Sequence, residues 1–223
     1  MTTVTKMRLS KETYTILKNF ASINSNIYIR PGNTLKTMSL GKNMFVQAKV
    51  AEDFDVDVLI WDLNQFLGIV SMFGNPDLEF HDKYVVISNG RSSVTYYYAD
   101  ESTLTYPTRD IKLPPVITTF NLDEQDLAEI LKASNILQVN KLKIVCGDGV
   151  VKIVVDDDTK AIKNNFEIVI SENYSGSDFS GVIDVSDIKF IPGSYTVHLT
   201  DSYISKFTHN ALDLCYYLAI NKD

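Results

Sequence analysis

The stretch Leu9–Ile29, LSKETYTILKNFASINSNIYI, decides the fold: it joins a helix to a strand, and the same pattern returns about half a chain later. Ser10 stands where an N-cap is expected. Tyr14, Leu17, Phe20 and Ala21 fall on one face of a 3.6-residue period, so Ser10 to Ser22 reads as an amphipathic helix. NIYI then reads as a strand that ends at Pro31-Gly32. Lys11 and Lys18 are seven residues apart and share a side of the helix, with Thr15 and Ser22 between and beyond them.

The triplet Ile16-Leu17-Lys18 recurs as Ile130-Leu131-Lys132, in a second helical stretch from Asp123 to Ile136 that leads into the strand-like KLKI. There Asp123 is the expected cap and Leu127, Ile130, Leu131 and Ser134 form the stripe. VLIWDLNQFLG is echoed by GVIDVSDIKFIPG: a strand, an aspartate, then a helix. Ile87-Ser88 is echoed by Ile204-Ser205, and TYYYA (Thr95 to Ala99) by CYYLA (Cys215 to Ala219). Four landmarks in one order imply two copies of one module.

Short alternating strands dominate both halves. NMFVQAKVA, FDVDVLIWD, KYVVIS and SSVTYYYA read as strands in the first, with the hairpin signal Asn89-Gly90-Arg91 between the last two. KLKIVC, GVVKIVVD, NFEIVIS, FSGVIDV, GSYTVHLTD, SYISKFT and LDLCYYLAI follow in the second, with a turn expected from Cys146 to Gly149. Two more helices are expected: Asp62 to Met72, stopped by Gly74-Asn75-Pro76, and a short one from Ser186 to Phe190 before Pro192-Gly193. The fold class is therefore α+β, with a repeated sheet-and-helix module. DESTLTYPTRDIKLPPVITT lacks periodicity and holds Pro107, Pro114 and Pro115, which impose an extended path and disfavour helix. It is expected to connect two domains, 1–100 and 119–223, through residues 101–118.

Of the 223 residues, 45% are hydrophobic and 22% charged, as in ordinary globular proteins. A net charge of -7 excludes a protein that coats nucleic acid with its whole surface. It leaves room for a local basic patch, because a Debye length of about 8 Å screens distant acidic faces. No apolar run reaches the roughly 20 residues of a membrane span, and the N-terminal stretch has no apolar core of a secretory signal. Cys146 and Cys215 lie in strand-like surroundings without redox or zinc spacing and read as buried reduced thiols.

Chemistry is not indicated. Asp53, Asp55 and Asp57 resemble the start of a calcium loop, but Val58 and Asn64 occupy the positions that need Gly and Glu; alternation makes the three carboxylates one solvated strand face. DDDTK from Asp156 reads as an exposed turn, and His81, His198 and His209 have no metal spacing. There is no phosphate loop, dinucleotide fingerprint or nucleophile elbow. No catalytic residue, cofactor or metal is expected.

MRLSKETYTILKNFASINSNIYI, DFDVDVLIWDLNQFLGIVSMFGN, the proline-containing connector and CYYLAI together resemble the sliding clamps of T4-like bacteriophages, the processivity subunits of phage replicases. The ending YYLA also resembles the last strand of proliferating cell nuclear antigen. The resemblance covers nearly the whole chain and is weaker from about Lys141 to Asp178. It implies the DNA clamp fold: two modules per chain, three chains closed head to tail into a six-module ring, helices lining the hole. It implies sequence-independent binding of duplex DNA, an ATP-dependent clamp loader, a tethered phage DNA polymerase, possible late transcription factors, no membrane, and action in the cytoplasm of an infected bacterium.

On that resemblance Lys11, Lys18 and Lys132 would face DNA, with Lys141 and Lys189 behind them, while Asp62 to Met72 brings no basic residue. A few mobile lysines near phosphate give a weak field that lets a ring slide. A partner peptide pocket would use Leu113 and Pro114, then Tyr217, Leu218 and Ala219, then Met44 or Phe45, although Tyr217 reads equally as an ordinary strand residue and Phe45 reads better as core. Ring closure would pair SSVTYYY with NFEIVIS of the next subunit. The alternative is a phage structural or assembly protein whose duplicated β-rich module has no role on DNA. Assembly state separates the two: a discrete trimer against other assemblies or none.

Overall fold

The computed structural model describes residues 5–156 and 164–223. It divides into two compact units, Met1–Asp110 and Ile111–Asp223. Of the acidic run that starts at Asp156, residues 157–160 lie outside the described residues.

The first unit runs β1 (Thr5–Met7), α1 (Lys11–Ile23), β2 (Ile27–Ile29), β3 (Gly32–Met38), β4 (Met44–Phe54), β5 (Val58–Ile60), α2 (Leu63–Met72), β6 (Asp77–Phe80), β7 (Tyr84–Asn89) and β8 (Ser92–Tyr97). Four strands form one antiparallel sheet in the order β1-β6-β7-β8. β3 pairs with β4, and β2 with β5. Ile16, Leu17 and Phe20 of α1 are at most 1% exposed. Burying each contributes about 1.5–3 kcal/mol, which offsets the cost of ordering a helix this short. α2 packs on α1 through the buried Leu63, Phe66, Leu67 and Val70.

The second unit repeats this plan. It runs β9 (Val116–Leu122), α3 (Glu124–Leu137), β10 (Lys141–Gly147), β11 (Val150–Val155), β12 (Phe166–Ser171), β13 (Phe179–Asp184), β14 (Tyr195–Thr200), β15 (Ile204–His209), β16 (Leu214–Ala219) and a two-residue β17 (Asn221–Lys222). β9-β14-β15-β16 are joined in the way β1-β6-β7-β8 are. β10 pairs with β13 as β2 does with β5, and β11 with β12 as β3 does with β4. Ile16 and Ile130 are both fully buried two residues before an exposed Lys18 or Lys132. The other landmarks mark equivalent strands at shifted positions: Ile87 is the fourth residue of β7, Ile204 the first of β15.

The second unit departs from the repeat at its second helix. In place of the helix expected from Ser186 to Phe190 there is a 3-10 turn, Val185–Asp187. The chain then drops Phe190 among Tyr195, Phe207 and Tyr216, with ring centroids 5.3, 4.8 and 4.6 Å away. Tyr195 donates to the Ile191 carbonyl, and Tyr216 accepts from the Ile191 amide at 3.0 Å. This aromatic cluster requires Phe190 to point inward from an extended segment, and Pro192 prevents a longer helix.

Smaller corrections follow from local hydrogen bonding. FDVDVLIWD is two strands, because β4 ends at Phe54 and β5 begins at Val58; Asp53, Asp55 and Asp57 are nonetheless all exposed. Asp123 makes no side-chain cap bond, and the Glu124 amide donates instead to the Ser194 hydroxyl at 3.1 Å. Ser10 and Asp62 do cap, accepting from the Thr13 and Gln65 amides at 3.1 and 2.9 Å. The β7–β8 loop is Gly90-Arg91, since Asn89 already pairs with Ser92; only Gly90 has positive φ, as a type II′ turn requires. Asp148-Gly149 has positive φ at both positions, a type I′ turn between β10 and β11. The connector segment is not wholly irregular: Glu101–Thr103 is a 3-10 turn and β9 starts at Val116.

Candidate nucleic-acid interface and partner-contact residues

The N-terminus of α1 is fixed from β4. The Glu52 carboxylate accepts from the Ser10 amide and the Thr13 hydroxyl, and Thr13 is fully buried. Burial alone would raise the Glu52 carboxyl; the bonds from Thr13 and Ser10 outweigh it and hold it below its ordinary value. Tyr14 donates to the Leu67 carbonyl of α2 at 3.3 Å. The helix thus enters at a set angle, with its apolar stripe inward and its polar side out.

The outward side carries Lys11, Thr15, Lys18 and Ser22, all exposed. Thr15 donates back to the Lys11 carbonyl at 2.9 Å, and Ser22 to the Asn19 carbonyl at 2.6 Å. With both hydroxyl protons used within the helix, the long lysines are the outward donors of this face. α2 exposes Asn64, Gln65, Gly68, Ser71 and Met72, and no charge.

Lys132 is exposed on α3, where the same helix also carries Glu124, Asp126 and Glu129. The equivalent helices are therefore unequal: α1 has two lysines against Glu12, α3 one lysine against three carboxylates. Lys141, the first residue of β10, and Lys189, just after the 3-10 turn, are exposed. Within the second unit Lys143 is instead held by Asp223, and Lys152 by Glu167 at 3.0 Å.

Of the residues expected to form a peptide pocket, Met44, Phe45 and Leu218 are buried at 2, 6 and 1% exposure. Leu113, Pro114 and Tyr217 are half-buried, and Ala219 is exposed. These four are the ones with surface to offer. Alternation along β16 turns Leu218 inward and Tyr217 and Ala219 outward, since successive side chains leave opposite faces of a strand, whereas Met44 and Phe45 are adjacent at the start of β4 and both buried.

Sequence reasoning passed over Lys6 of β1 and Arg8 just after it. Lys6 and Arg8 both reach Asp77 on β6, at 3.2 and 2.7 Å. Asp77 lies below its ordinary carboxyl value, through its bonds to Arg8 and then Lys6. The signal was present as alternation in Lys6-Met7-Arg8, but the strand is three residues long.

Both cysteines are free. Burial pushes the Cys146 thiol up to about 11 and raises Cys215 as well, the opposite of an activated thiolate. No helix is long and apolar enough to cross a membrane among the described residues, and these contain no group of three or more metal-ligating side chains.

The family model described as DNA polymerase processivity factor matches residues 10–106. The chain is similar to the sliding clamp of Escherichia phage RB69, at 31% identity over 227 residues, covering 97% of this chain and 98% of that one. It is also similar to the sliding clamp of Enterobacteria phage T4, at 31% identity over 201 residues, 86% of this chain and 87% of that one. Among solved structures, the PCNA of A. fulgidus with the C-terminal region of FEN-1 bound superposes with a TM-score of 0.74. That match covers 100% of this chain and 99% of the other at 12% identity, and so speaks for the fold alone.

Proposed function

The chain belongs to the sliding-clamp family, and from that premise we propose that three copies close into a ring around duplex DNA and tether the replicative polymerase of a phage. The protein is a scaffold without catalysis. The observation that carries the ring is that each unit has an open sheet edge. β8 ends the first unit's four-stranded sheet, and β12 ends the second unit's five-stranded sheet. β8, Ser92–Tyr97, has no charged residue, and β12 has only Glu167. Tyr97 is 72% exposed and Val169 47%. Monomeric proteins protect such edges with charge, proline or bulges; β8 has none of these, and β12 has only Glu167 and one register shift against β11, so both edges stay open to partners. Pairing β8 of one copy with β12 of the next is a heterologous contact, which closes into a ring when the rotation permits.

In such a ring the lysines of α1, with Lys132, Lys141 and Lys189, supply the field towards phosphate. Retention on DNA is topological, so weak contacts serve sliding better than tight ones. An ATP-dependent loader opens the ring. Polymerase peptides engage Leu113, Pro114, Tyr217 and Ala219, and the same surface serves late transcription factors. The site of action is the cytoplasm of the infected host.

Native mass by light scattering over a dilution series tests the ring. A species at three times the 25.1 kDa chain mass, dissociating on dilution, is expected. A strict monomer or a polydisperse assembly at high concentration would overturn it and return the structural-protein reading.

A further inference from the structure

A second site lies wholly within the first unit, on β2, β3 and the segment after β8. A cleft of about 370 Å³ is lined by Tyr28, Arg30, Lys36, Tyr106 and Arg109, with Pro31 and Pro107 on its walls. The Tyr28 and Tyr106 rings meet edge to face at 4.9 Å. The Arg30 guanidinium sits over both, 5.0 and 5.6 Å from their centroids.

One carboxylate, Asp110, also lines the cleft, and Lys36 neutralises it there. Tyr106 donates to Glu101, and Lys36 pairs with Asp110 at 2.5 Å. The Tyr28 phenol is raised by burial and then by its bond to Asp57, and the Tyr106 phenol first by its bond to Glu101, so both hydroxyls keep their protons. Among the described residues neither Arg30 nor Arg109 forms an ion pair. In a chain of net charge -7, two arginines without carboxylate partners share one cleft. Arg30 lies against both rings and bonds the Tyr28 phenol, and its remaining N–H groups suit a carboxylate.

We propose that the Tyr28–Arg30–Tyr106 cleft is a docking subsite for an acidic peptide segment of a clamp-binding protein, whose carboxylates bond Arg30 and Arg109 while its apolar side chains lie on Pro31, Pro107 and the tyrosine rings. The occupant is a peptide because proline and tyrosine walls fit side chains at least as well as the charge fits an anion. None of the lining residues comes from α1 or α2, so the cleft is separate from the lysine-bearing helical face. Only the class of partner rests on the clamp reading; the cleft and its charge do not.

The test is fluorescence anisotropy on the full chain with two labelled peptides, Gly-Pro-Asp-Tyr-Asp-Pro-Asp and its counterpart with asparagine at every aspartate. The aspartate peptide is expected to bind about tenfold more tightly, with the preference shrinking as salt rises. Arg30→Met keeps the apolar stem and should abolish the preference, Arg30→Lys should restore part of it, and Arg109→Met at an exposed position should weaken it severalfold. Equal binding of the two peptides, binding of neither, or an undiminished preference in Arg30→Met would overturn the proposal. Tighter binding of labelled oligothymidylate, lost in Arg30→Met, would reassign the cleft to nucleic acid and overturn it too. Lys11→Glu with Lys18→Glu should leave the peptide result unchanged, so a failure of the ring on DNA and a failure of this subsite are read separately.

Discussion

Thr13 and Glu52 are 39 positions apart in sequence, yet the Thr13 hydroxyl donates to the Glu52 carboxylate and fastens the first turn of α1 to β4. The Ser10 amide donates to the same carboxylate, so one acid orients the lysine-bearing helix. This follows a general rule that a buried polar side chain needs a partner, here met by joining helix to strand.

Glu52→Gln should lower stability by about 1–2 kcal/mol at pH 7, because a charge-assisted acceptor is lost from two donors. The Glu52 carboxyl is held below its ordinary value of 4.5. Its contribution is therefore complete above about pH 4.5 and is lost as pH falls through the lowered value. Urea unfolding at pH 7 and pH 3 checks this: the gap between wild type and variant should shrink at the lower pH. A gap that stays constant would show that the carboxylate charge is not what holds the turn.

Lys11→Glu with Lys18→Glu should leave native mass and melting temperature unchanged, since both side chains are exposed on α1. Loading onto primed circular DNA, or processive synthesis by the cognate polymerase, should fall about tenfold or more, most at low salt. Lys132→Glu should do less, because α3 is already acidic. Wild-type processivity in the double variant would remove α1 from the channel.

Val169→Asp places a charge on the exposed edge strand β12 without touching the core. It should shift the light-scattering mass towards 25.1 kDa at concentrations where the proposed trimer forms in the wild type. Tyr97→Lys, on β8, should act in the same direction. Persistence of the trimer in both variants would place the contact between copies elsewhere.

Gly193→Ala should destabilise the second unit by about 1–3 kcal/mol. Gly193 has φ of 151°, and a Cβ there would stand 2.3 Å from Nε2 of His209. His209 cannot yield easily, because its Nδ1 accepts from the Ala211 and Leu212 amides at 3.0 and 3.1 Å. Calorimetry is the check, and an unchanged melting temperature would mean that the β15–β16 turn adjusts freely.

Much of this was legible in the chain. Ser10 and Asp62 announced their helices, because a capping side chain is a local event. Lys18 and Lys132 were recognisable as exposed partners of a buried neighbour because helix periodicity alone sets which side a residue takes. β1, β3, β6 and β9 were not read as strands. β1 and β6 are only three and four residues long, and β9 follows two prolines; their existence depends on pairing with β6, β7 and β14.

The sequence by itself determined the two-module plan, the helical faces and the turn positions, since each depends on neighbours within a few residues. Tertiary structure decided the rest. It replaced the second helix of the second unit by an aromatic cluster around Phe190, because packing that half-buried ring on Tyr195 and Tyr216 outweighs one short helical turn. It buried Met44, Phe45 and Leu218 and left Leu113, Tyr217 and Ala219 with surface. It also gathered Arg30 and Arg109, 79 positions apart, into one cleft. Contacts between residues so distant in the chain leave no period in the sequence, because only packing brings them together.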